Sequence, residues 1–161
     1  MPEITDRPEQ PYVAAKATVT MSTIASLADR LPELIGKLAA EGTPIAGAPF
    51  FRYTGIGPGD ALEMEAGVPL AAPVDLGDPW ASGLLPAGRY VVETHHGHPA
   101  GLAEATAAVL DWGTGRGLKW DMTETGGGER WGCRLEVLKT NPAEQPDWNL
   151  WETDLVLRLE R

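Results

Sequence analysis

Five acidic side chains stand at spacings that could do chemistry. Glu63 and Glu65 are two residues apart, Glu152 and Asp154 are again two apart, and Glu136 lies between these pairs in the chain. Side chains two apart on a strand point to one face, so each pair would present two carboxylates together. Phe51 and Tyr53 keep the same spacing upstream and would present two rings. Aromatic faces attract cations through their quadrupole, and partly desolvated carboxylates add Coulomb attraction. A carboxylate held against rings also titrates above its ordinary range and can serve as a general acid or base. The pattern describes a pocket for flat cationic or polarised molecules. It describes a solvated face of a half-exposed antiparallel sheet equally well.

Other reactive residues point less far. His95, His96 and His98 suggest a metal, but adjacent strand histidines face opposite sides and no fixed Asp, Glu or Cys set completes a tetrahedral site. No metal and no cofactor is expected. Cys133 is the single cysteine, which excludes an internal disulfide. It sits among apolar positions and reads as a small buried hydrophobe. The Gly126-Gly127-Gly128 run lacks the trailing Gly-Lys-Ser/Thr of a phosphate loop.

The elements that must position these residues belong to one domain of 161 residues, or to two small halves sharing a core. Hydrophobic residues make up 43% and charged residues 22%, an ordinary globular balance. The net charge of −10 is the wrong sign for a phosphate-backbone binder, so direct nucleic-acid binding is not expected. No apolar run approaches the roughly 18 residues that span a bilayer, and Met1 to Gln10 has no signal-peptide core. No membrane partner is expected, and the cytoplasm is the default compartment. Six Trp against two Phe, with 19 Gly and 14 Pro, suit many short strands and turns around amphipathic pockets.

Residues 1–11, rich in proline, are expected to form a loose tail. Val13 to Thr20 reads as a strand. Ile24, Leu27, Leu31, Leu34, Ile35 and Leu38 then recur at helical intervals, with Ser22 or Thr23 as cap, Gly42 as stop and a kink or fresh start at Pro32. Phe50–Gly55 and Leu62–Val68 read as strands joined by the Gly57-Pro58-Gly59-Asp60 turn. After a Pro/Gly/Asp-rich link from Ala71 to Gly83 the order repeats. Gly88–His96 is a strand, and Pro99 opens a helix with the stripe Leu102, Ala105, Val109, Leu110 and Trp112. Trp131–Lys139 and Trp151–Leu159 complete the set. The two halves, 12–70 and 84–161, thus share one strand–helix–strand–strand order offset by about 75 residues. Joined, they would place both helices on one face of a sheet and leave a groove on the other.

Parity sorts the side chains. Leu155, Leu157 and Leu159 mark the core face of the last strand, which turns Glu152 and Asp154 the other way. Cys133, Leu135 and Val137 form the apolar set of their strand, with Arg134, Glu136 and Leu138 opposed. Leu62, Met64 and Ala66 oppose Glu63 and Glu65. The face away from the helices is therefore expected to gather Glu63, Glu65, Glu136, Glu152 and Asp154 near aromatics.

Six segments in order carry a resemblance. Pro49-Phe50-Phe51-Arg52-Tyr53, Leu62-Glu63-Met64-Glu65-Ala66-Gly67-Val68-Pro69, Leu85-Pro86-Ala87-Gly88-Arg89-Tyr90, His95-His96-Gly97, Arg134-Leu135-Glu136-Val137 and Trp151-Glu152-Thr153-Asp154 resemble the GyrI-like small-molecule-binding family. That family also supplies the effector-binding domain of certain AraC- and MerR-type regulators. The resemblance spans roughly Tyr12 to Arg161. It implies an α+β fold of duplicated βαββ (SHS2-like) units and a groove for hydrophobic, aromatic and often cationic small molecules. It implies Tyr53, Glu63, Glu65, Trp112, Trp131 and Asp154 as ligand-binding residues, to which strand parity adds Phe51 and Glu136. Thr153-Asp154 stands where the family usually has Thr-Glu, so a ligand would be held less closely, or Glu152 would substitute. Leu138 stands where Tyr is frequent.

A multidrug-binding protein acting by sequestration or sensing is the leading expectation. Some family members are similar to hydrolases that open the cyclopropane ring of DNA-alkylating products. On that alternative Asp154 and Glu152 would be the catalytic pair. A third alternative is inhibition of DNA gyrase, with a topoisomerase or a separate regulator as protein partner. Twelve residues before Val13 cannot hold a helix-turn-helix, so a free-standing binding domain is expected.

Overall fold

The leucines at helical spacing form the helical layer of the first half. The computed structural model describes residues 1–160; Arg161, the last residue of the expected domain, lies outside them. Helix α1 (Ile24–Ala28) and helix α2 (Arg30–Ala40) bury Leu27, Leu31, Leu34 and Leu38. The fresh start falls at Arg30, which puts Pro32 in the first turn of α2, where its missing N–H has no intrahelical partner to lose. Gly42 takes φ 68°, and the amides of Gly42 and Thr43 return to the carbonyls of Ala39 and Leu38 at 3.1 and 2.9 Å. This Schellman closure needs a left-handed residue, which glycine adopts without strain. Helix α3 (Leu102–Gly115) follows a 3-10 turn at Pro99–Gly101 and ends the same way, with Gly117 at φ 75° and Leu118 N–H on Gly113 O at 3.0 Å.

The strands are β1 (Glu3–Arg7), β2 (Gln10–Val19), β3 (Phe50–Ile56), β4 (Leu62–Pro69), β5 (Ala81–Leu85), β6 (Gly88–His96), β7 (Met122–Thr125), β8 (Gly128–Trp131), β9 (Arg134–Leu138) and β10 (Glu152–Arg158). They form one antiparallel sheet in the order β1-β6-β10-β9-β3-β4-β2-β5, with the β7–β8 hairpin added beside β3. The halves meet where β3 pairs β9, Phe51 opposite Glu136. Outward from that seam each half repeats the same order, β4 then β2 on one side and β10 then β6 on the other.

Curling follows from two short links. β1 and β2 are joined by Pro8 and Glu9, yet they stand near opposite ends of the strand order. Such a link spans about 11 Å at most, so the sheet ends must approach one another. Pro86 and Ala87 impose the same closure between β5 and β6. The result is an α+β half-barrel, a curled antiparallel sheet with helices against its outer face. Among the described residues no helix is long and apolar enough to cross a membrane.

Three apolar clusters fill it. One lies under α1 and α2, around Leu34, Leu38, Met64 and Val68, and one under α3, around Val109, Leu155 and Leu157. The third fills the inside of the curl, with Tyr12, Phe50, Tyr90, Cys133, Leu135 and Val156. The sheet centre is therefore buried on both faces.

Two expectations are corrected here. The N-terminal residues do not form a loose tail: Glu3–Arg7 pair with Val92–Gly88 of β6, because the curl brings that edge to them. Residues 131–139 are not one strand. The chain breaks at Gly132 and Cys133, where Gly132 N–H turns to Asp121 O at 2.9 Å and Arg52 donates to Gly132 O at 2.8 Å. The break reverses parity, so Arg134, Glu136 and Leu138 face the helices and Cys133, Leu135 and Val137 face inward.

Candidate functional site

Helices α1 and α2 pack over β2 and β4, and α3 packs over β6. The central strands β3 and β9 lie between these two helical layers. Glu136 is at the middle of β9, flanked in register by Phe51 on β3 and Leu155 on β10. The Tyr53 hydroxyl donates to Glu136 Oε1 at 3.0 Å across the seam. Tyr53 is only 8% exposed, with its ring in the cluster under α1 and α2, while Phe51, Glu136 and Leu138 are half-buried. Trp131 closes the other side, its indole N–H on Glu129 Oε1 at 2.9 Å. Arg134 lies between the rings, its guanidinium carbon 5.4 Å from the Tyr53 centroid and 5.0 Å from the Trp131 centroid.

Burial dominates the titration of this group of residues. It pushes the Glu136 carboxyl above its usual range, against the Tyr53 hydrogen bond and the charges of Arg134 and His95. Burial, then the charge of Glu136, pushes the Tyr53 phenol up, so it stays a donor at any ordinary pH. Rings, a buried carboxylate and a hydroxyl aligned on one face can sandwich a flat molecule and bond to its polar edge.

Phe51, Tyr53, Trp131 and Glu136 therefore share the helical face of the sheet, Tyr53 and Trp131 as core residues 8% and 6% exposed. Glu63, Glu65, Glu152 and Asp154 do not join them. They lie on the opposite face of the sheet, and each is engaged there. Glu65, 3% exposed, accepts from Tyr12 at 2.7 Å and meets Arg52 at 3.4 Å and Lys16 at 3.6 Å. Glu63 pairs with Arg130. Asp154 accepts from Thr94 at 2.6 Å and lies 3.7 Å from Lys139, and Glu152 stands 3.5 Å from His96. Trp112 packs in the cluster under α3, with the Arg116 guanidinium 4.5 Å from its ring centroid. The inward face also holds a cavity of about 270 Å³ lined by Phe50, Leu85, Tyr90, Leu135 and Val137, with Arg7 at one side.

Arg134, and Tyr12 and Arg52 as the partners of Glu65, were not among the expected site residues. Arg134 was accessible from spacing, since it shares a strand face with Glu136. Tyr12 and Arg52 come from strands 40 residues apart, and no local signal links them. His95 Nε2 bonds to His98 O at 3.1 Å, and among the described residues no group of three or more His, Cys, Asp or Glu could hold a metal. Cys133 is fully buried, and burial raises its thiol above the usual value.

Comparison with known proteins agrees with this architecture. The C-terminal domain of EcmrR superposes with a TM-score of 0.77 at 15% identity, covering 100% of this chain and 98% of that one. EcmrR in its complex with DNA gives 0.74 at 15% identity, and there this chain covers 57% of that one. SAV2435 bound to tetraphenylphosphonium gives 0.65 at 11% identity over 99% and 94% of the two chains. At these identities the likeness is one of fold. No curated protein matches the chain. The family model for the GyrI-like small molecule binding domain matches residues 1–159, nearly the whole chain, and this protein belongs to that family.

Proposed function

We propose that this protein binds flat aromatic small molecules in a cleft between its helices and acts in the cytoplasm by sequestering or sensing them. The observation that carries this reading is the Tyr53–Glu136 hydrogen bond across the seam of the two halves, with Phe51 and Trp131 beside it. A half-buried carboxylate is costly unless paired, and here it keeps one oxygen free of the tyrosine for a second donor. Rings on either side suit a planar guest. SAV2435, alike in fold, has been solved with tetraphenylphosphonium, an aromatic cation, which supports an aromatic occupant here as well. The acids of the opposite face are engaged with their own partners, which favours the cleft over that face.

Equilibrium dialysis against a panel of flat aromatic compounds tests this. Phe51→Ala and Tyr53→Ala are expected to weaken binding about tenfold or more, since each removes one stacking face. Glu152→Gln and Asp154→Asn are expected to leave it unchanged. The reverse pattern would move the site to the inward face.

A further inference from the structure

Arg134 occupies the place in the cleft that a ligand cation would take. Its guanidinium lies within cation–π range of both Tyr53 and Trp131. Glu136 is two residues further along the same face of β9, and Glu129 on β8 adds a second negative charge nearby. Even so, Arg134 forms no salt bridge and no side-chain hydrogen bond among the described residues. Arg30, Arg52, Arg130 and Arg158 each hold a carboxylate, whereas Arg7 and Arg116, like Arg134, lie over a ring without one. The half-buried fork of Arg134 thus carries five donors, with Glu129 and Glu136 nearby but neither in salt-bridge contact.

From this we infer that Arg134 sets the charge class of the ligand. Resting on the binding reading above, the site takes flat aromatic molecules that carry an anionic or strongly accepting group and turns away permanent aromatic cations. A cation would have to expel Arg134 from between the rings and replace both of its contacts, or else stand beside a like charge in a poorly solvated cleft. A carboxylate or a polarised carbonyl meets the fork with paired, charge-assisted hydrogen bonds while its ring system stacks on Phe51 and Tyr53. Glu136, held by the Tyr53 hydroxyl at 3.0 Å, lines the same face beside the guest.

Two dyes with one ring frame and opposite charge separate the outcomes. Fluorescein is an anionic xanthene and a rhodamine ester a cationic one, and binding of each is read by fluorescence anisotropy. Wild type is expected to bind fluorescein and not the rhodamine ester. Arg134→Met, which keeps the chain length without the charge, should weaken fluorescein about ten- to a hundredfold, the size of a charge-assisted hydrogen bond, and gain rhodamine binding. Arg134→Lys should retain part of the fluorescein affinity, and circular dichroism checks that each variant folds. A rhodamine ester bound by wild type as tightly as by Arg134→Met overturns the inference. So does fluorescein affinity that is indifferent to Arg134→Met. Phe51→Ala distinguishes the two levels: if it weakens both dyes while Arg134→Met alters neither, the charge inference fails and the cleft stands. If neither variant alters either dye, the cleft itself is the wrong site.

Discussion

At the scale of single residues, Glu136 carries a pH signature. Its folded-state proton affinity is raised above the ordinary value of 4.5, chiefly by burial between Phe51 and Leu155. A raised carboxyl favours the folded state while it is protonated, and that contribution is lost as pH rises from 4.5 through the raised value. Glu136→Gln keeps the neutral shape at every pH. Its melting temperature relative to wild type should therefore climb across that interval and level off above it, as thermal melts at stepped pH would read. A gap that stays constant with pH would contradict the assignment. Cys133 gives a second expectation. It is wholly buried and its thiol is pushed up, so Ellman's reagent should label it only under unfolding conditions.

At the scale of elements, α3 holds an instructive glycine. Gly113 lies in a helix interior, where alanine is normally better by about 0.5–1 kcal/mol. Here the Trp120 ring lies against its Cα, and an added methyl would overlap that ring. Gly113→Ala should therefore destabilise by about 1–3 kcal/mol, the range for overpacking a filled core, as urea denaturation would measure. In α2 the comparison is simpler. Leu34 is wholly buried under the sheet, and Leu34→Ala should cost about 2–5 kcal/mol by lost contacts and residual cavity. Helical periodicity exposed both helical segments, the Gly42 stop and the restart near Pro32, because each signal is local to one turn. The β7–β8 hairpin and β5 had no such signal. They are four- and five-residue strands, and β5 and β8 pair with the distant β2 and β3.

At the scale of the whole molecule, closure depends on β1. This strand gives β6 a second partner, and its link to β2 ties the two ends of the sheet together. Deleting residues 1–8 should lower the melting temperature, at about 0.5–1.5 kcal/mol for each ladder hydrogen bond lost. It should also leave β6 as an open edge prone to pairing between molecules, which light scattering would register. Unchanged stability and a monomeric product would show the N-terminal strand to be dispensable. The same closure makes the inside of the curl a core of its own, filled by Phe50, Tyr90, Leu135 and Val156.

By itself, the amino-acid sequence determined the α+β class, the two amphipathic helical segments and the placing of Phe51 and Tyr53 on one face. Each of these follows from spacing within a few residues, where the backbone's own period decides. Alternation placed Glu63, Glu65, Glu152 and Asp154 on the face away from the helices, where they are, but the face of Glu136 was settled only in three dimensions. Alternation identifies faces only when one of them is wet, and the centre of this sheet is dry on both. The apolar Cys133, Leu135 and Val137 could therefore belong to either core. The break at Gly132, held by Asp121 and Arg52 from elsewhere in the chain, turned them inward. That one reversal brings Arg134 and Glu136 together with Tyr53 and parts them from Glu63, Glu65, Glu152 and Asp154.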